Sequence, residues 1–144
     1  MRRRVRGVLA GAGIAVLVGL VAGLGLLLWP AQGGPAVLHT GTARYVVTAT
    51  VDNPRIGSTA IEFTLVPRSA GPARAAIVDL EAVMPLMGHA TPSVRAVSVG
   101  GDRYRADGVA LMMPGSWELM VSIHVDGAVD GAVDNLVLPL PVSG

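Results

Sequence analysis

Beyond residue 44, apolar and polar side chains alternate with a period of two, the pattern of strands with one face buried and the other in water. Tyr45, Val47, Ala49 and Val51 alternate with Arg44, Thr48, Thr50 and Asp52, and Asn53-Pro54-Arg55-Ile56-Gly57 ends that strand. Ile61, Phe63 and Leu65 repeat the pattern as far as Pro67, and a loop follows to Pro72. Ala76, Val78, Leu80 and Ala82 make a third run that ends near Met84. Val94 to Val99 is the fourth, closed by a tight hairpin turn at Gly100-Gly101-Asp102. Tyr104 to Met113 follows, with Asp107-Gly108 suited to a bulge. After Pro114-Gly115 comes the clearest strand, with Trp117, Leu119, Val121, Ile123 and Val125 inward and Glu118, Met120, Ser122, His124 and Asp126 outward. Leu136, Leu138 and Leu140 form a last, proline-bounded edge strand. No amphipathic helix interrupts the series. About seven short antiparallel strands predict an all-β domain, two sheets packed face to face as an immunoglobulin-like β-sandwich centred on Trp117 and Phe63.

The start of the chain reads differently. From Gly7 to Trp29 there is no charged or strongly polar side chain, and about 20 such residues in a helix cross a hydrocarbon core. Arg2, Arg3, Arg4 and Arg6 precede the run and the next arginine is Arg44, so the positive-inside rule puts the N-terminus in the cytoplasm and the rest outside. Trp29 and Pro30 fall where an interfacial aromatic and a helix stop belong. The pairs Gly7/Gly11 and Gly19/Gly23 have a spacing that supports helix pairing. A cleaved signal peptide is the competing reading, but its apolar core spans about 7–15 residues, and Pro30-Ala31-Gln32-Gly33 is a poor cleavage site. Residues 1–30 are therefore expected to be a single-pass signal-anchor helix, residues 31–38 a Gly/Pro linker, and residues 39–144 the extracytoplasmic sandwich.

Charge and cysteine content narrow the chemistry. Every basic residue is arginine, and beyond the apolar run seven arginines face ten acids, a net charge of −3. With no basic stripe and few aromatics, a nucleic-acid partner is set aside. The absence of cysteine excludes disulfide staples, thiolate zinc sites and a thiol nucleophile. Asp126, Asp130 and Asp134 recur in a tandem Asp-Gly-Ala-Val repeat. That spacing is read as a lengthened hairpin loop with solvated acids in preference to a calcium site, which needs oxygen ligands at closer intervals.

One segment is unlike ordinary sandwich sequence: Met84-Pro85-Leu86-Met87-Gly88-His89. Thioethers are soft ligands that favour Cu(I), and imidazole accepts Cu(I), Cu(II) and zinc. Met84, Met87 and His89 lie in a stretch stiffened by Pro85 and Pro92, and Met112 and Met113 end a later strand that a sandwich could bring alongside. The structural alternative is that Met84, on the inward parity of its strand, fills the core, that His89 is a solvated loop histidine, and that Met113 packs on Trp117. Met120 and His124 share an outward sheet face without a third ligand, and His39 lies beside the linker.

Met84-Pro-x-Met87-Gly-His89, then Gly101-x-x-Tyr104, then Met113-Pro-Gly115-Ser-Trp117-Glu-Leu, resembles the YtkA-like domain, an immunoglobulin-like module similar in style to FixH-type and CopC-type extracytoplasmic proteins. The resemblance runs from about Tyr45 to Leu140 and is densest from Val83 to Trp117. It implies a sandwich behind a membrane helix and a part in copper handling or in assembling copper-dependent membrane enzymes, with a copper transporter or oxidase assembly factor as partner. It places Met84, Met87 and His89 in a Met/His loop, Met113 before the Gly-x-Trp turn, and Tyr104 and Trp117 as structural aromatics. No further His or Met stands beside His89, so the set suffices for Cu(I) and is thin for Cu(II). An enzyme is not expected: there is no serine triad, nucleotide loop or zinc-protease helix, and Gly115-Ser116-Trp117 is not a nucleophile elbow. A metal-free interaction module, or an accessory subunit of a membrane complex, is the alternative to a copper carrier.

Overall fold

The computed structural model describes residues 34–70, 74–126 and 131–144; the membrane helix expected over residues 1–30 lies outside them. Among the described residues no helix is long and apolar enough to cross a membrane. The all-β expectation is met. The strands are β1 (Ala36–Gly41), β2 (Tyr45–Val51), β3 (Gly57–Pro67), β4 (Arg74–Met84), β5 (His89–Ala90), β6 (Val94–Gly100), β7 (Arg103–Leu111), β8 (Gly115–Asp126) and β9 (Val133–Val142).

All strand pairs are antiparallel, in the order β1-β2-β3-β7-β6-β4-β8-β9, with β5 on β4. The path folds into two layers because β6 belongs to both. Its first residues, Val94 to Ala96, pair with Leu80 to Val78 of β4, and its later residues pair with β7. The outer edges then approach each other, so the sheet nearly closes. Ser143 donates its N–H to Pro54 O at 3.0 Å and accepts from the N–H of Ile56 at 3.1 Å, and Arg44 pairs with Asp134 across the same seam.

The predicted parity holds in the interior. Trp117, Tyr45 and Phe63 are the largest fully buried side chains, joined by Ile61, Leu65, Leu80, Leu119, Ile123, Leu138 and Leu140. The expected bulge is present: Thr59 opposes Val109 and Ile61 opposes Ala106, so Ala60 faces the two residues Asp107 and Gly108. Gly108 takes φ 78° there, a left-handed conformation that a side chain resists. The β6–β7 hairpin turns through Gly101 and Asp102, as its glycines predict.

Two strands go beyond the seven read from the sequence. Strand β1 starts at Ala36, inside the stretch read as linker, and pairs with β2 through His39 opposite Thr48, whose hydroxyl lies 3.2 Å from His39 Nδ1. Its side chains are only half-buried or exposed, and so its alternation is faint in the sequence. Strand β5 has two residues, too few for a period to register. The acid repeat also departs from expectation at one member. Asp134 is buried and ion-paired with Arg44, not solvated.

On the outer face of the β4 layer, Asp79 accepts two hydrogen bonds from the Arg95 guanidinium, at 2.9 and 3.3 Å, and lies 3.5 Å from His124 Nε2. The Arg95 hydrogen bond, more than any other neighbour, holds the Asp79 carboxyl below its ordinary value of 3.8. A carboxyl lowered by folding stabilises the fold above its unfolded pKa, and that contribution disappears as pH falls through the lowered value. Urea denaturation of Asp79→Asn against the native chain is therefore expected to show a deficit at neutral pH that closes in strong acid. A gap of constant size across that range would show that the pair contributes packing rather than charge.

Candidate functional site

The Met/His segment forms the hairpin between β4 and β5. Met84 closes β4 and His89 opens β5, directly opposite one another, so both side chains lie on the same face of the hairpin at cross-strand distance. Between them Pro85, Leu86 and Met87 make one 3-10 turn, and Gly88 reverses the chain at φ 62° and ψ 27° with its N–H on Pro85 O at 3.3 Å. Pro85 suits the first position of the turn, where no N–H is needed, and Gly88 the left-handed exit. Thr91 ties the base: its hydroxyl accepts the Ala82 N–H at 3.0 Å, and its own N–H donates to Ala82 O at 2.9 Å.

Met84 points inward and is buried. Its terminal methyl lies 3.2 Å from where a β-carbon on Gly115 would stand, and Gly115 has φ 136°. Glycine at 115 thus meets two demands, the backbone conformation and the space taken by the thioether. Trp117, two residues on, is fully buried and donates its indole N–H to Met113 O at 3.0 Å. The His89 ring stands edge-on to that indole, with centroids 6.0 Å apart and planes at 83°, the favoured arrangement for aromatic pairs. Among the described residues neither His89 ring nitrogen meets a hydrogen-bond partner.

The structure places Met84 against Gly115 and His89 against Trp117, whose indole N–H meets the Met113 carbonyl, while Met87 stands out on the turn. Met113 is half-buried against the core; Met87 and Leu86 stand out on the turn, 67 % and 89 % exposed. Core packing, the alternative reading for Met84, is what its burial shows, and its thioether still adjoins the face that His89 shares. His89 is neither a free loop histidine nor a core one, since it is half-buried against Trp117. Met120 and His124 remain on the outer sheet face, where His124 turns to Asp79. The element that sequence reasoning treated only as structural is the Trp117 indole, which joins the two methionine-bearing turns; its signal was the Met-Pro-Gly-Ser-Trp spacing.

The chemistry available at this corner is thioether sulfur and one imidazole. Among the described residues no three His, Asp or Glu side chains are grouped to hold a metal ion; Met84 and Met113 offer thioethers, the donor type that soft cations prefer, and His89 an imidazole. A cleft of about 280 Å³ opens elsewhere, lined by Tyr45, Leu65, Pro67, Ala75, Asp102 and Tyr104 among others. It lies at the opposite end of the sandwich. Beside it the Tyr45 hydroxyl is buried without a hydrogen-bond partner among the described residues. Burial first, and the Asp134 carboxylate next, raise its pKa.

Residues 40–122 match the family model described as YtkA-like. The match spans β2 to β8, with the end of β1, and holds both methionine-bearing turns. No curated protein and no solved structure matches the chain.

Proposed function

The chain belongs to the YtkA-like family, and on that footing we propose that it is a membrane-anchored extracytoplasmic binding module that holds and hands on copper through its Met/His corner. One observation carries the reading: Met84 and His89 face each other across the hairpin, and His89 stacks edge-on against Trp117, whose indole N–H binds the Met113 carbonyl, with Met87 on the adjoining turn. Two or three thioethers and one imidazole match the preference of Cu(I). Met87, free to rotate on its turn, is suited to close over an ion or to pass it on. The strand β6, shared by both layers, supports the immunoglobulin-like assignment. A copper transporter or oxidase assembly factor in the same membrane is the partner such a carrier would serve.

The test is a competition titration of the detergent-solubilised chain against a colorimetric Cu(I) chelator. With no cysteine present, no thiolate can supply the binding. One Cu(I) per chain is expected, and Met87→Ala combined with His89→Ala is expected to weaken it by about tenfold or more, equivalent to about 1.4 kcal/mol or more. Undiminished binding in the double variant would remove these residues from the ligand set.

The exposure of Leu86 beside Met87 favours a second reading, in which the turn is a protein contact of an accessory subunit. Co-purification with a membrane protein that is indifferent to copper and lost in Leu86→Asp would select it.

A further inference from the structure

Among the described residues the exposed apolar side chains carried on turns lie at one end of the sandwich. Among the described residues the large exposed hydrophobics on turns are Ile56, Leu86, Met87 and Met112, at 49, 89, 67 and 64 %; the others sit on strands. Ile56 precedes β3, Leu86 and Met87 follow β4, and Met112 follows β7. The register puts these strand ends together, because Gly57 opposes Leu111, Val83 opposes Glu118, and Gly115 opposes Val142. Among the described residues of the turns at the opposite end, 42–44, 68–70, 101–102 and 131–132, there is no large exposed hydrophobic. In the three apolar turns, 52–56, 85–88 and 112–114, the charged residues are Asp52 and Arg55, and Asp52 is ion-paired with Arg105 at 3.0 Å. The one acid in these turns is thus matched by a cation, so they present no unpaired negative charge to anionic lipid headgroups.

The chain enters the domain at this same end. Ala36, the first residue of β1, opposes Val51, the last of β2. The apolar run in the sequence ends at Trp29, and at no more than about 3.5 Å per residue the stretch from Trp29 to Ala36 reaches about 25 Å at most. Strand β8, with 12 residues, is about 40 Å long. A tether shorter than the domain, attached beside the apolar turns, keeps those turns within reach of the bilayer surface.

We propose that this end rests on the membrane, with Ile56, Leu86, Met87 and Met112 in the headgroup region. The inference rests on the anchored reading above and specifies it: the Met/His corner faces the bilayer, so copper passes between this domain and a membrane-embedded partner without crossing open solvent. Leucine and methionine on exposed turns suit the interface, where apolar side chains are stabilised without a fixed pocket.

Because the chain has no cysteine, single labels can be placed cleanly. Leu86→Cys and Asp102→Cys are at opposite ends on exposed turns, where substitution leaves the core untouched. Each full-length variant, carrying an environment-sensitive fluorophore, is reconstituted in vesicles that contain a headgroup-spin-labelled lipid. Quenching several-fold stronger at position 86 than at 102 is the expected result. Equal, weak quenching at both positions in protein that floats with the vesicles would overturn the proposal and leave the anchor standing. A label at 86 that is shielded from water but not quenched, with the unlabelled Leu86→Cys variant forming disulfide-linked dimers on oxidation in air, would give the surface to a second copy and also overturn it. Failure to float would overturn the anchored reading itself. As a second measurement, Leu86→Asp with Met112→Asp is expected to abolish quenching of a label placed by Met87→Cys; unchanged quenching there would refute a role for the apolar turns.

Discussion

Trp117→Ala is expected to destabilise the domain by about 3–5 kcal/mol, the range for emptying a buried large aromatic site. The side chain is fully buried, and its loss opens a cavity between the layers just where the two methionine-bearing turns meet. Trp117→Phe separates the two contributions of the indole. It keeps much of the volume but removes the N–H that satisfies Met113 O, and leaving that part-buried carbonyl unpaired costs about 1 kcal/mol, the low end of the range for buried groups. The smaller ring still offers His89 an edge, so Cu(I) binding is expected to survive in Trp117→Phe at temperatures where it folds. Circular dichroism in urea is the measurement, because the substitutions remove the one tryptophan of residues 34–144. A cost below about 1 kcal/mol for the alanine variant would mean that the corner is not packed as described.

The second large effect belongs to the seam. Asp134 is buried on the inner face of β9, and Arg44, half in water, reaches it from the turn before β2. The other carboxylate oxygen, Oδ2, meets no hydrogen bond among the described residues. Removing the cation alone strands a charge in a place that solvates it poorly, so Arg44→Ala is expected to cost about 2 kcal/mol, below the range for a fully buried pair because Arg44 is itself partly hydrated. Asp134→Leu has the opposite expectation. It extends the inward row Leu136, Leu138 and Leu140 by one residue and removes the desolvated charge, so it is expected to be neutral or stabilising by about 1 kcal/mol. Thermal or urea unfolding of the two variants and their combination tests this. An Asp134→Leu variant as damaged as Arg44→Ala would show that the carboxylate is required for something other than its ion pair.

These two sites mark how far the sequence is legible. Trp117, Phe63 and the alternating rows of β2, β3 and β8 could be read directly, because burial of one sheet face repeats every second residue and no other element shares that period. The bulge at Asp107-Gly108 and the turn at Gly101-Asp102 were legible because they need glycine for backbone reasons. Arg44 and Asp134 lie far apart in the chain, and no local pattern records that they meet; the tandem repeat even suggested solvent for Asp134. The division of β6 between two layers is hidden for a similar reason, since each half looks like an ordinary strand. At the candidate site, the residue types and the shared hairpin of Met84 and His89 were readable. The edge-on contact of His89 with Trp117 and the exclusion of Met87 from the corner depend on how β8 comes to lie beside β4, a matter of packing between strands distant in sequence.

The last strand has a consequence for how copies of the domain meet. Strand β9 pairs with β8 alone, and Pro139 and Pro141 stand opposite Glu118 and Ser116. Proline has no amide hydrogen to offer, and it is accommodated in a sheet where that missing donor faces away from the partner strand. The free side of β9 is thus an interrupted template: a neighbouring chain that tried to extend the sheet would find no donor at either position. Two domains colliding side by side can touch through side chains and part again, but the ladder cannot propagate from one molecule to the next along this margin. A Val- and Leu-rich fold with no disulfide to lock it shut thereby gains protection from fibrous self-association at the cost of two residues.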